Sequence, residues 1–277
     1  MAVSERQVCV IIGMGGMGRA IARRIGHGRT LLIADRDEES IEALAVGMRE
    51  EGLLVEATVA DVTSARSMEQ LSQLAHSLGP VAHVVHTAGL SPAQGSLADI
   101  LAVNVLGPAH MLETFAGVMM PGGSAVVIAS NAGHMDDRCL SPDDRTALTG
   151  TPAAELMHLP LLSEERFESS SAAYRFAKRV VQLRVQAAAV PWSTGGCRVN
   201  SVSPGVTATP MGRSERAAGN QNVERLISES PVGRVAAAEE IAEAVAFLLS
   251  SSASFIYGSD LLVDGGAVAA RLHPLGR

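Results

Sequence analysis

The sequence has 277 residues, 47% of them hydrophobic, and a net charge of −7 at pH 7, which suits one large α/β domain over residues 1–277. Its 22 basic residues are scattered and no apolar run approaches the roughly 20 residues of a membrane helix, which argues against nucleic-acid and membrane partners. Three distant cysteines (Cys9, Cys139, Cys197) form no metal or disulfide motif, so we expect a cytoplasmic protein without a metal.

Seven short apolar runs are typical of strands, and helical patterns lie between them. In chain order the runs are VCVIIG, TLLIAD, VEATVAD, HVVHTAG, AVVIAS, CRVNSVSPG and DLLVDGG. Their nearly continuous hydrophobicity is expected of a parallel sheet with both faces covered. The alternation predicts an α/β fold with a doubly wound, mostly parallel sheet of about seven strands and helices on both faces. Functional residues should then follow the carboxyl ends of the strands.

Residues 135–170 break this alternation because they contain no convincing strand. The stretches SPDDR and TPAAE predict two short helices, with Ser141 and Thr151 as N-caps and proline at the first helical position. Both ends of the segment lie next to candidate catalytic residues, Ser130 and Tyr174. We interpret the segment as a lid over the substrate end of the cleft. An arm that contacts a second subunit is the alternative.

A glycine-rich loop follows the first predicted strand and opens a helix. Gly13, Gly15 and Gly18 have G-x-G-x-x-G spacing, and Gly16 and Met17 lie within the loop. Glycines at these places permit a tight turn and close approach of the backbone to a pyrophosphate. The loop therefore predicts a dinucleotide site.

Asp35 ends the second predicted strand, where its carboxylate can accept hydrogen bonds from both hydroxyls of the adenosine ribose. The same carboxylate would repel a 2′-phosphate, which favours NAD over NADP. Arg36 keeps NADP open as the less favoured cofactor, since a guanidinium can pair with that phosphate. Another interpretation is that Asp35 only starts the turn DRDEE.

Two further strand ends complete the predicted cofactor site. Asp61 and Val62 end the third strand, where the edge of an adenine would lie. Thr87, Ala88 and Gly89 end the fourth strand, where small residues would admit the cofactor.

Tyr174 and Lys178 are four residues apart on a predicted helix and so share one face. Lys178 is the single lysine of the chain. Its ammonium can lower the phenol pKa from about 10 and make Tyr174 a general acid/base. It can also donate to a cofactor ribose, a place that the broad guanidinium of arginine cannot fill. The alternative is an ordinary exposed lysine.

Three more polar residues are candidates for the same site. Ser130 ends the fifth strand, where its hydroxyl can hold a substrate oxygen, although a solvated serine is also common there. Asn104 lies among apolar residues of a predicted helix and needs a backbone or water partner, so it can anchor a water that leads from Lys178. We interpret His134, at the predicted mouth of the cleft, as a substrate contact.

Together these motifs resemble the short-chain dehydrogenase/reductase family, and they run in family order from about residue 7 to 266. The resemblance implies a Rossmann-like fold, a catalytic tetrad and a homotetramer or dimer. The tetrad is Asn104, Ser130, Tyr174 and Lys178. It also implies that residues of PGVTATP lie along the nicotinamide and pyrophosphate: Pro204, Gly205, Val206, Thr207 and Thr209.

Two departures from the family pattern are visible. The glycine loop is one residue shorter than usual, and the segment between Ser130 and Tyr174 is unusually long. A similar insertion occurs in bacterial hydroxysteroid dehydrogenase/carbonyl reductases. We predict an NAD-dependent oxidoreductase that interconverts a secondary alcohol and a ketone, on a bulky apolar substrate such as a hydroxysteroid or cyclic alcohol. A dinucleotide-sensing or scaffold protein without turnover is the alternative.

Overall fold

The computed structural model describes residues 6–217 and 221–273. Seven parallel strands form one sheet in the order β3-β2-β1-β4-β5-β6-β7. The strands are β1 (Val8–Ile12), β2 (Thr30–Asp35), β3 (Leu54–Val59), β4 (Val81–His86), β5 (Met119–Ile128), β6 (Arg198–Pro204) and β7 (Asp260–Val263). The predicted doubly wound α/β fold is confirmed.

Helices connect the strands and cover both faces of the sheet. They are α1 (Gly16–Ile25), α2 (Glu38–Glu50), α3 (Ala65–Leu78), α4 (Leu97–Leu101), α5 (Gly107–Phe115), α6 (Asn131–His134), α7 (Pro142–Gly150), α8 (Ala153–Leu156), α9 (Ser170–Thr194), α10 (Pro210–Ala217), α11 (Gln221–Glu229), α12 (Ala238–Leu249) and α13 (Ala267–Leu272). A π-helical turn, Ala102–Leu106, joins α4 to α5. Within the described ranges, no helix has the length and hydrophobicity needed to cross a membrane.

The central strand β1 shows why the strand sequences are apolar throughout. Successive side chains of a strand point to opposite faces. Val10 accordingly packs in the hydrophobic cluster on one face, together with Phe115 of α5. Ile11 packs in the cluster on the other face, together with Val245 of α12. Both faces exclude water, so neither set of side chains is polar.

The strand order reverses beside β1, because β2 lies on one side of it and β4 on the other. The connections after β1 and β4 therefore leave in opposite directions and open a crevice at the carboxyl ends of the strands.

The inserted segment, residues 135–170, packs against α9 and builds a third hydrophobic cluster. Leu148, Leu156 and Leu162 are at most 2% exposed there and lie with Phe176 and Val180 of α9. Burial of these leucines anchors the segment to the body of the protein.

Two arginines fasten the same segment. The guanidinium of Arg138 lies 4.7 Å from the ring centre of Phe167 and 4.6 Å from that of Phe176. Arg184 of α9 donates from Nη1 to the carbonyl oxygens of Leu148 and Thr151, at 2.8 and 3.0 Å. These bonds hold the end of α7 at a fixed place on α9.

Of the two predicted helix starts in the segment, one is correct. Ser141 caps α7 as predicted, since its hydroxyl accepts from the amide of Asp144 at 3.1 Å. The prediction for Thr151 is wrong, because its amide still donates to Ala147 at the end of α7 and α8 begins only after Pro152.

Replacing Leu156 with alanine should lower the free energy of unfolding by about 2–5 kcal/mol, because the substitution leaves a cavity in the third hydrophobic cluster. Urea unfolding followed by circular dichroism measures the change. Val190→Ala is the matched control, since Val190 is 72% exposed and its loss should cost under about 0.5 kcal/mol. A loss at Leu156 as small as that of the control would contradict the packing of this segment as core.

Candidate active site

A cavity of about 970 Å³ opens at the carboxyl ends of the strands. Every residue predicted above for the catalytic tetrad or the cofactor lines it, although these residues come from segments far apart in the chain. Of the predicted site residues, His134 alone does not line the cavity.

The glycine loop lies against the end of β4 and leaves no room for side chains at two of its positions. Gly13 has a φ of +95°, which disfavours other residues, and a Cβ there would collide with the backbone of Ala88. A Cβ on Gly18 would collide with the carbonyl oxygen of Gly13. The short loop thus keeps the tight strand-to-helix turn that the motif predicts.

The opposite side of this loop is open. A Cβ on Gly15 would meet no atom within 4 Å. α1 begins at the next residue, and no side chain caps its N-terminus. Backbone N–H groups and the helix dipole therefore face the cavity with room for an anion, which fits the pyrophosphate of a dinucleotide.

Asp35 connects β2 to the glycine loop. Its Oδ2 accepts from the backbone amide of Met14 at 2.6 Å, and its Oδ1 accepts from the amide of Arg36 at 2.7 Å. The turn after β2 uses a different acid, since Asp37 caps α2 by accepting from the amide of Ser40. The turn into α2 thus has its own capping acid, while Asp35 lines the cavity, and its role as a ribose ligand stays a prediction.

Lys178 is only 5% exposed, so it is not an ordinary surface lysine. Its Nζ donates to the carbonyl oxygen of Ile128 at 3.1 Å and lies 5.7 Å from the ring centre of Tyr174. Burial lowers the pKa of the ammonium to about 8, because a charge is less stable away from water.

Burial has the opposite effect on Tyr174 and raises the pKa of its phenol. The hydrogen bond with Ser130 lowers this pKa and the negative charge of Glu215 raises it. The pKa of the phenol is thus raised, whereas the neighbouring lysine was expected to lower it. Exclusion of water favours the neutral phenol, and the Lys178 ammonium donates to Ile128.

Ser130 and Asn104 are both buried and both bonded to backbone. Ser130 is the N-cap of α6, where its Oγ accepts from the amide of Ala132 at 3.1 Å. The Asn104 amide donates to the carbonyl oxygen of Leu90 at 2.8 Å and accepts from its N–H at 3.2 Å. The side chain of Asn104 is thus held by backbone, and the solvated-serine interpretation of Ser130 does not apply.

The predicted contact of His134 with substrate gains no support from its position, because His134 does not line the cavity. Its Nε2 lies 2.6 Å from Oδ2 of Asp260, at the start of β7. Position alone suggested the cleft mouth, but α6 turns the ring toward β7 and away from the cavity.

Most of the segment that we expected to be a lid, residues 135–170, does not line the cavity. Of residues 135–170, only Met135 and Asp137 line the cavity, and both belong to the first turn of the segment. α7 and α8 pack against α9 because their leucines are buried there. The two-faced composition of the segment reflects this docking.

Sequence reasoning missed one group of residues that line the cavity. This group comes from α10 and α11 and includes Met211, Glu215 and Leu226. Glu215 Oε1 accepts from the amide of Ala93 at 2.8 Å, which joins α10 to the loop after β4. The sequence did contain a signal for these residues, because α10 begins at the end of the PGVTATP stretch, which was predicted to contact the cofactor.

Comparison with known proteins gives one consistent result. Residues 6–142 match the short chain dehydrogenase family and residues 147–268 match the enoyl-(acyl carrier protein) reductase group. A short-chain dehydrogenase/reductase of Alternaria brassicicola is 39% identical over 266 residues, which cover 96% of this chain and 97% of the relative. The chain belongs to the short-chain dehydrogenase/reductase family. Its membership makes it an oxidoreductase of alcohols and ketones that uses a nicotinamide dinucleotide.

Two more proteins that this chain resembles are informative. The 3-alpha-hydroxysteroid dehydrogenase/carbonyl reductase of Comamonas testosteroni is 28% identical over 216 residues, which cover 75% of this chain and 81% of the relative. Actinorhodin polyketide ketoreductase, solved with NADPH, has a TM-score of 0.75 and 24% identity, with 97% of this chain and 99% of that chain covered. The second likeness concerns the fold alone.

Proposed function

We propose that this short-chain dehydrogenase/reductase is an NAD-dependent enzyme that interconverts a secondary alcohol and a ketone on a bulky, mainly apolar substrate. The observation that carries the proposal is that Ser130, Tyr174 and the buried Lys178 line one cavity together with the glycine loop.

Each of these side chains has a distinct part in proton transfer. When bound, the cofactor supplies or accepts the hydride. In the oxidative direction, deprotonated Tyr174 takes the proton of the substrate hydroxyl, and in reduction the phenol returns it. Ser130 orients the substrate oxygen, and the positive charge of Lys178 favours the phenolate.

The residues that would hold NAD are those of the glycine loop and Asp35. The open N-terminus of α1 suits the pyrophosphate, and the Asp35 carboxylate suits two ribose hydroxyls. A 2′-phosphate would meet the negative charge of Asp35, which supports NAD over NADP. Lys178 would donate to the second ribose.

The cavity also supports an apolar substrate. Its lining includes Met135, Met211 and Leu226, together with charged residues such as Glu215 and Arg225. Flexible methionines adapt to bulky apolar groups. The hydroxysteroid activity in the name of the Comamonas testosteroni relative agrees with this chemistry.

The proposal also includes self-association and a reducing, cytoplasmic environment. Phe255 is 99% exposed, and Phe247 and Tyr257 are 43% exposed, which supports a homo-oligomer, tetramer or dimer, that covers them. Cys9 and Cys197 are buried free thiols, as in a reducing compartment.

With NAD, the protein should oxidise bulky cyclic secondary alcohols at a kcat/KM at least about tenfold above that with NADP, because Asp35 repels the 2′-phosphate. Asp35→Ala should lower the ratio of kcat/KM with NAD to kcat/KM with NADP. NADH absorbance over a panel of alcohols of increasing size measures both. Asp37→Ala is the control, since Asp37 caps α2 and does not line the cavity.

Equal efficiency with both cofactors in the wild type would contradict the NAD assignment. Tight NADH binding without turnover of any alcohol or ketone would favour the sensing alternative.

A further inference from the structure

A network of hydrogen bonds lies behind the cavity wall and centres on Asp260, the first residue of β7. Its Oδ1 accepts from the hydroxyls of Ser201 and Ser203 at 2.5 and 2.9 Å, and its Oδ2 lies 2.6 Å from Nε2 of His134. A carboxylate only accepts hydrogen bonds, so His134 donates from Nε2. None of these four residues lines the cavity.

One arm of this network reaches Ser130 through α6. Ser130 is the N-cap of that helix and His134 is its last residue. The Ser130 hydroxyl accepts from the amide of Ala132. The bond from His134 to Asp260 therefore fixes the far end of the one helical turn whose near end carries the Ser130 hydroxyl.

A second arm reaches Ser130 through α9. Ser203 accepts from Nε2 of Gln182 at 3.0 Å, and the same nitrogen donates to the carbonyl oxygen of Ser130 at 3.3 Å. Gln182 follows Lys178 by one helical turn and is only 6% exposed. Asp260 is thus connected to Ser130 by two routes, both closed to bulk water for most of their length.

The packing between α6 and α9 leaves little freedom for this turn. A Cβ on Gly133 would lie 2.9 Å from the amide nitrogen of Arg179 and from the side-chain amide of Gln182. Because the two helices touch so closely, α6 can shift only as a unit, and a change at His134 is transmitted to Ser130.

We propose that His134 and Asp260 are positioning residues that hold the Ser130 hydroxyl at the place where it meets the substrate oxygen. The inference rests on the proposed function, in which Ser130 orients that oxygen. It assigns to His134 a part in catalysis that requires no contact with substrate.

His134→Ala should lower kcat about tenfold, because a small displacement of an orienting group is costly, while NADH affinity and melting temperature stay near wild type. His134→Gln should restore kcat to within about threefold, since its side-chain amide can donate to Asp260 in place of Nε2. The control is His158→Ala, because His158 is exposed and lies outside the cavity lining. An unchanged kcat in His134→Ala, or a His134→Gln variant as slow as His134→Ala, would overturn the inference.

The same substitution in a Ser130→Ala background separates this inference from the proposed function. If His134 acts through Ser130, His134→Ala should cause no further loss of kcat there. A second tenfold loss would show that His134 acts by another route and would contradict the inference. A wild-type kcat in Ser130→Ala alone would instead contradict the proposed role of Ser130, whatever His134 does.

Discussion

Tyr174→Phe should lower kcat by about a thousandfold, which is the largest effect expected of any single substitution here. The change removes one oxygen atom and leaves the ring, so the packing around α9 is kept. It removes the phenol that we propose exchanges a proton with the substrate oxygen. Steady-state kinetics with the best alcohol of the panel measures the loss.

The chain offers a matched control for this experiment, since Tyr257 is the second of its two tyrosines. It is 43% exposed and does not line the cavity, so Tyr257→Phe should turn over like the wild type. NADH binding, followed by fluorescence, should be unchanged in both variants. A Tyr174→Phe enzyme that keeps a tenth or more of wild-type kcat would refute general acid/base catalysis by this residue.

Lys178→Arg should lower kcat by about a hundredfold even though the positive charge is kept. The ammonium lies in a narrow place, where it donates to the carbonyl oxygen of Ile128 and a Cβ on Gly89 would be 3.5 Å away. A planar guanidinium is wider and would displace either the glycine backbone or the bound cofactor. We expect weaker NADH binding together with the loss of turnover.

Arg24→Lys serves as the control for the exchange of one cation for another. Arg24 is half exposed and pairs with Glu243 on the protein surface, and neither residue lines the cavity. Its replacement should leave kcat and NADH affinity unchanged. Turnover of Lys178→Arg within about threefold of wild type would mean that this position accepts any cation, against the argument from shape.

The sequence was most informative where water is excluded from both faces of an element. The strands could be predicted because a residue such as Ile11 must be apolar whichever face it meets. The glycine loop and Asp35 could be predicted because a tight turn and an exposed strand end restrict residue type strongly. Lys178 could be predicted because it is the single lysine in a chain of arginines.

The features that the sequence did not reveal depend on packing between distant segments. His134 lies four positions after Ser130 in the chain, yet its partner Asp260 is 126 positions away. The leucines of α7 and α8 were compatible with a lid or a subunit-contact arm, and their burial against α9 depends on contacts that the sequence does not show. The raised pKa of Tyr174 likewise depends on solvent exclusion, which spacing along a helix does not report.

The single lysine also has a use in spectroscopy. Growth on isotopically enriched lysine would label one side chain in the whole protein, and that side chain is the buried amine at the cavity wall. Its resonance would need no assignment, because no other lysine contributes to the spectrum. A change in the chemical shift of Nζ would then report the binding of a cofactor or substrate at the site. No assignment of the other resonances of this large molecule would be needed.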